Sequence, residues 1–268
     1  MKKVIQFREL LIRLAWKEIR VRYKEPILGF IWALLVPLSM TLIFMFIFTK
    51  IVKVPFKGYP FFIFLATGLF PWNFFSLSVS TSTMSILESG SLIKKVYFPR
   101  EIIPISIVFA NAIIFLFTLI PMIFFILISG IKLTLWMALL PVAFVLQIVF
   151  TSGVCLMISG LQVSYRDIKY IVEIILPFWF YITPIFYPLE LVLGVSTRLF
   201  SIYILNPMVG LVTMYRIALL GNTHIANLLP NINIMIIFLY SVIFSGLFFW
   251  IGFYVFKKHE PTFPDLVK

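Results

Sequence analysis

Charge is scarce in this chain: Asp, Glu, Lys and Arg make up 12% of its 268 residues. So little charge excludes a soluble globule, whose surface needs far more polar cover to meet water. The scarcity is also uneven, because Tyr59 to Leu87, Ile102 to Ile131 and Leu133 to Tyr165 contain none of the four charged types. An uncharged apolar run of about 18 residues or more is long enough to cross a hydrocarbon core about 30 Å thick as a helix. Barrel strands are only about ten residues long and alternate apolar with polar, so a barrel is excluded as well. The composition describes an all-α integral membrane protein.

Other absences narrow the chemistry. Cys155 is the one cysteine, so no intramolecular disulfide forms, and its apolar neighbours suit a small buried residue. The dipeptide Gly-Lys does not occur, which removes the G-x-x-x-x-G-K-[ST] loop that cradles nucleotide phosphates. His224 and His259 are far apart, with no HExxH and no Cys/His cluster, so no metal site and no cofactor is expected in this chain. The interiors of the long runs carry no ionisable group of the kind proton- and ion-coupled transporters place at midplane. A membrane enzyme acting on lipid-linked sugars needs acid, base or metal ligands at one depth, and none are gathered. The formal charge of +12 does not indicate nucleic acid, because the basic residues lie between apolar runs, where topology and anionic lipid account for them.

Residues 5 to 25 suit an amphipathic helix lying on the membrane. Leu11, Ile12, Ala15, Trp16, Ile19 and Tyr23 fall on one face and Arg13, Lys17, Arg20 and Lys24 on another. The run 27–49 is too long for the h-region of a cleaved signal, so it reads as a retained first span that Pro37 kinks. Spans are expected at 27–49, 59–87, 102–131, 133–165, 167–189 and 232–256. The fifth contains Pro177, Pro184 and Pro188. Between 190 and 231 the pattern breaks at Asn206-Pro207, and short re-entrant or interfacial helices suit it better than a further span. Ser and Thr crowd the second half of the second run, where they either bond within the helix bundle or line a path. Aromatics cluster at Phe70, Trp72, Phe74 and Phe75 and again at Phe178, Trp179, Phe180 and Tyr181. They pack in the bundle, or some face a channel where flat rings stack on sugars.

Six spans place both termini on one side. Sixteen of the 22 Lys and Arg then lie on the side of the termini, which the positive-inside tendency makes cytoplasmic. The short charged island Ser89 to Pro104, SGSLIKKVYFPREIIP, lies on that side too.

Several stretches together resemble the transmembrane subunit of ABC-2-type polysaccharide exporters. They are RVRYKEPILGFIWALLVPL (20–38), LIKKVYFPREIIP (92–104), YRDIKYIVEIILPFWFYITPIFYP (165–188), LNPMVGLVTMYRIALLG (205–221) and FKKHEPTFPDLV (256–267). The resemblance implies a six-span permease of the bacterial inner membrane that pairs with a second copy of itself and with two P-loop ATPase subunits, which bind the ATP and Mg. Its implied cargo is a lipid-linked polysaccharide such as O-antigen on undecaprenyl diphosphate. It implies a coupling segment at 89–101, with Ser91, Lys94, Lys95, Tyr97, Arg100 and Glu101 seated on the ATPase, and a smaller contact at Arg166 and Asp167. Arg13, Lys17, Arg20 and Lys24 belong to the interface helix under this reading. Phe70, Trp72, Phe178, Trp179 and Tyr181 are the channel-lining candidates, and Asn206, Pro207, Tyr215 and Arg216 form part of an external gate within 190–231. Export of a small lipid or drug by a related permease is the competing expectation.

Overall fold

The computed structural model describes residues 7–23, 29–53, 60–132, 134–221 and 234–266, and among them the regular elements are all helical. In chain order they are α1 (Arg8–Tyr23), α2 (Trp32–Phe46), α3 (Phe61–Glu88), α4 (Gly90–Lys95), α5 (Ile102–Ile128), α6 (Leu139–Ser164), α7 (Ile168–Ile182), α8 (Leu189–Val195), α9 (Thr197–Tyr203), α10 (Pro207–Leu220), α11 (Ile234–His259) and α12 (Phe263–Leu266). Five stretches are long and apolar enough to cross a membrane: Trp32–Ile51, Phe61–Glu88, Ile102–Ile128, Leu135–Ser164 and Met235–Thr262.

The first expected span is shifted. A 3-10 turn, Gly29–Ile31, precedes α2, and a π-turn, Ile47–Ile51, extends it past Phe46. Pro37 has no N–H to give to the preceding turn, and its carbonyl accepts instead from Thr41 Oγ1 at 2.7 Å. The span expected at 167–189 is shorter as a helix than the sequence suggests. Continuous helix covers 15 residues, about 22 Å at 1.5 Å each. It stops because Thr183 precedes a proline, which drives its backbone into the extended region, here φ −83° and ψ 133°.

Helix α3 is the axis of the bundle, and 78% of its most apolar window is buried. Its hydroxyls mostly bond back to their own helix: Ser78 to Phe74 O at 2.7 Å, Thr83 to Val79 O at 2.8 Å and Ser85 to Ser82 O at 2.7 Å. These bonds satisfy Ser78, Thr83 and Ser85 within their own helix, so the richness in hydroxyls does not by itself mark a path. Gln147 of α6 donates to the Pro71 carbonyl at 2.7 Å and ties the two helices together at depth. Helices α6 and α11 approach closely through glycine. A Cβ on Gly153 would lie 2.5 Å from the Phe248 carbonyl oxygen, and one on Gly252 would collide with the Gly153 carbonyl. Small residues permit such contact where lipid offers no hydrophobic drive between helices.

Helix α1 is packed rather than merely floating. Leu11 shares a cluster with Ile102 and Ile103, and Ala15 and Ile19 share another with Ala110 and Ile114, so α1 rises beside the first half of α5. Its buried strip is narrower than the expected apolar face, and Ile12 and Trp16 are each 51% exposed. Helices α9 and α10 meet at 89°, and all 14 residues of α10 are buried. At about 21 Å, α10 is too short to cross a bilayer alone, and protein covers it on every side, as re-entrant backbone requires.

Candidate functional site

One end of the bundle gathers the turn between α3 and α5, the turn between α6 and α7, the start of α1 and the segment after α11. Ile86, Ile93, Phe98, Phe256 and Phe263 form a shared apolar floor there with Leu11. Above it α4 presents its polar side outward: Ser91, Lys94 and Lys95 are exposed, and Tyr97 is 94% exposed. An aromatic side chain with that much of its surface in the open has no packing role in this chain, which suits a contact with another one. Arg166 and Asp167 are exposed at the same end. Their turn is held from beneath by Gln162, which donates to Arg166 O at 2.9 Å and accepts from the Lys169 N–H at 2.7 Å. A hollow of about 350 Å³ lies here, bordered by Met84, Leu87, Gln162, Arg166, Lys169 and Leu266.

Two residues expected on the coupling surface turn inward. Glu101 is buried, and its carboxylate accepts from Lys257 Nζ at 2.8 Å, while the same ammonium reaches Glu260 at 2.8 Å. Arg100 donates to the Glu260 carbonyl at 2.6 Å. A carboxylate in so apolar a place needs a paired cation, and the cation comes from this chain's own α11. Arg100 and Glu101 thus clasp the root of the expected coupling segment to the C-terminal segment, and the Glu101 carboxylate is engaged within this chain. Nearby, Ser164 and His259 share a hydrogen bond of 2.8 Å. Arg13, Lys17 and Arg20 are exposed along α1, as expected, while Lys24 lies outside the described residues.

The aromatic candidates divide. Trp72 is buried with its ring 5.5 Å from Phe75 and 5.6 Å from Phe180, so it is core. Phe70 is also buried in the core, where it borders a cavity between α2, α3 and α5. Trp179 packs edge-on against Phe75 and Phe150. Phe178 and Tyr181 are 68% and 60% exposed on the outer face of α7. Within one chain, only those two face outward.

The gate candidates build a polar knot at the break in the fold. The Asn206 side chain caps α10 by accepting from the Met208 N–H at 3.1 Å, accepts from Trp179 Nε1 at 2.9 Å and donates to Thr183 Oγ1 at 3.2 Å. Pro207 takes the first helical position, where its missing N–H costs nothing. Arg216 is buried, donates to the Ile185 carbonyl at 2.7 Å and holds its guanidinium 3.7 Å from the centre of the Phe64 ring. Gly68 leaves the room, since a Cβ there would sit 3.2 Å from the guanidinium. The non-helical segment after Ile182 thus supplies the carbonyl that lets a charge remain in an apolar core. Tyr215 is fully buried against Phe115, and its hydroxyl has no hydrogen-bond partner among the described residues. The expected gate residues 222–231 lie outside the described residues.

Sequence reasoning missed the clasp of Arg100 and Glu101 with the C-terminal segment, although opposite charges flank the ends of α5 and α11. It also missed Arg22, whose Nη1 donates to Asn111 Oδ1 at 2.7 Å inside the bundle. Among the described residues no cluster of His, Cys, Asp and Glu is suited to a metal.

A sequence model described as ABC-2 type transporter matches residues 9–220. Similar proteins include an O-antigen export system permease protein from Myxococcus xanthus, 34% identical over 80% of this chain and 82% of its own length. A protein of the same description from Klebsiella pneumoniae is 32% identical over 78% and 79%. A polysialic acid transport protein from Escherichia coli is 27% identical over 86% and 88%.

Proposed function

The chain belongs to the ABC-2 type transporter family, and we propose that it is the membrane-spanning subunit of an ATP-driven exporter of lipid-linked polysaccharide. The observation that carries this reading is its likeness to O-antigen export permeases over about four-fifths of both chains. In this reading two copies pair in the bacterial inner membrane with their termini in the cytoplasm, and two separate P-loop ATPase subunits supply the hydrolysis. The absent phosphate-cradling loop agrees with a division of labour of this kind. The exposed end bearing Lys94, Lys95, Tyr97, Arg166 and Asp167 is where the ATPases dock. The cargo is a glycan on undecaprenyl diphosphate, and the exposed aromatics Phe178 and Tyr181 give the path flat surfaces on which sugars slide.

Reconstitution of the permease with its ATPase in proteoliposomes tests the reading. ATP-dependent transfer of a lipid-linked glycan to the opposite side is expected. Transport of small lipids or drugs without any glycan transfer would reassign the cargo, and glycan turnover by the permease alone would make it an enzyme.

A further inference from the structure

We infer that the space between α1, α2, α3 and α5 is a binding site for one zwitterionic glycerophospholipid, with its phosphodiester on Arg22 and its ammonium beside Glu18. The space has two neighbouring parts. A cavity of about 400 Å³ is bordered on its polar side by Arg22, Asn73, Ser76, Ser80 and Asn111. A groove of about 640 Å³ runs along α2 past Leu35, Leu42 and Met45 to Phe62 and Phe125, and is almost wholly apolar. Trp32 and Val36 border both. A largely apolar cavity with one polar wall, lying beside an apolar groove, offers hydrogen-bonding and charged partners to a lipid's headgroup and an apolar bed to one of its acyl chains.

The depth fits. Helix α5 has 27 residues, about 40 Å, and so overshoots a hydrocarbon core of about 30 Å. With the overshoot of about 10 Å on the side of Ile102, Asn111, about 14 Å from that residue, lies about 4 Å inside the hydrocarbon boundary, a depth that a headgroup drawn inward by the Arg22 side chain reaches. The polar groups are also prepared. Arg22 is largely buried and oriented by Asn111, which in turn donates to Ser78 at 3.2 Å.

Charge selects the headgroup. Arg22 is paired with Glu18 at 3.0 Å, so the two together carry no net charge. A diphosphate brought into this space would leave excess negative charge in a poorly hydrated site. A phosphate and an ammonium held by one small headgroup match the pair instead. The exposed Arg13, Lys17 and Arg20 favour anionic lipid on the outer face of α1, so the two faces of one helix select different lipids. The bound chain would fill the gap beside α2, whose most apolar window is only 11% buried.

The full-length permease, purified as the complex it forms and delipidated, is titrated with phosphatidylethanolamine or phosphatidylglycerol of identical chains and examined by native mass spectrometry. One phosphatidylethanolamine per permease chain is expected, retained about fivefold or more over phosphatidylglycerol. Arg22→Gln should lower retention about tenfold, as loss of a charge-assisted bond requires, and Glu18→Gln should abolish the preference. Val36→Trp closes the junction of chamber and groove without touching a polar group, and should also lose the lipid while the complex stays folded. Equal retention by the wild type and Val36→Trp would overturn the site, as would a preference for phosphatidylglycerol. Displacement by equimolar undecaprenyl phosphate would assign the space to a cargo carrier instead. Of these results only that displacement touches the transport reading, and it would overturn this site while leaving export standing, so the failure of the two is distinguishable.

Discussion

Tyr215 and Arg216 are neighbours on α10 with opposite expectations. The Tyr215 hydroxyl is buried without a partner among the described residues, so Tyr215→Phe removes an unsatisfied group and keeps the ring on Phe115. Its thermal unfolding midpoint in detergent should be unchanged or higher, by up to about 1 kcal/mol of stability. Arg216 has a carbonyl partner and a ring beneath it. Arg216→Ala leaves the Ile185 carbonyl unpaired and opens a void, at a cost of about 3 kcal/mol. Arg216→Lys should recover only part of this loss, because an ammonium cannot reproduce a flat guanidinium stacked on Phe64. A Tyr215→Phe protein less stable than the wild type by more than the Lys variant would contradict this account of the knot.

At the scale of elements, the close pair α6–α11 and the C-terminal clasp make separate predictions. Gly252→Leu forces apart backbones that touch at Gly153, and should lower the unfolding midpoint and the yield of inserted protein, while Gly194→Ala, in open space, should not. For the clasp, Lys257→Met strands the buried Glu101 and costs on the order of 1–3 kcal/mol, reduced by the partial exposure of the lysine. Adding Glu101→Gln should restore part of it, so a double-mutant cycle with no coupling would show that the pair contributes nothing. These elements also show what was legible beforehand. Long uncharged runs announced α3, α5, α6 and α11, because crossing lipid demands length and apolarity from a single segment. Pro207 announced the break at Asn206, whereas the stop at Thr183 was not expected, because a proline is tolerated inside other helices of this bundle such as α3 and α5. The clasp and the Arg22–Asn111 bond were not legible, since both join residues far apart in sequence, and hydropathy carries no information on which helices become neighbours. Nor did periodicity decide between Trp72 in the core and Phe178 at the surface, because in lipid both faces of a helix are apolar.

At the scale of the whole molecule, the proposed docking of an ATPase on α4 requires a route by which a push there would reach the membrane. Helix α4 has six residues and hangs between two helices of 28 and 27 residues, so a push on it has rigid elements to act on. Through Glu101 and Arg100 the root of α5 is tied to Lys257 and Glu260 at the far end of the chain, and α11 is packed in turn on α6. Under the proposed docking, a load applied at Lys94 and Lys95 would therefore enter α3, α5, α11 and α6 together. If those lysines meet an acidic ATPase surface, the double reversal Lys94→Glu with Lys95→Glu sets like charges against each other without disturbing the buried Ile93 and Phe98. The reconstituted complex should then hydrolyse ATP while exporting glycan at least about tenfold less per ATP, consistent with the loss of a few charge pairs. Labelling of single introduced cysteines from either side should show unchanged orientation. Normal export by this variant would remove the lysines from the contact. Inverted labelling would instead make them topology signals, with Tyr97 and the Arg166 turn left to carry the coupling.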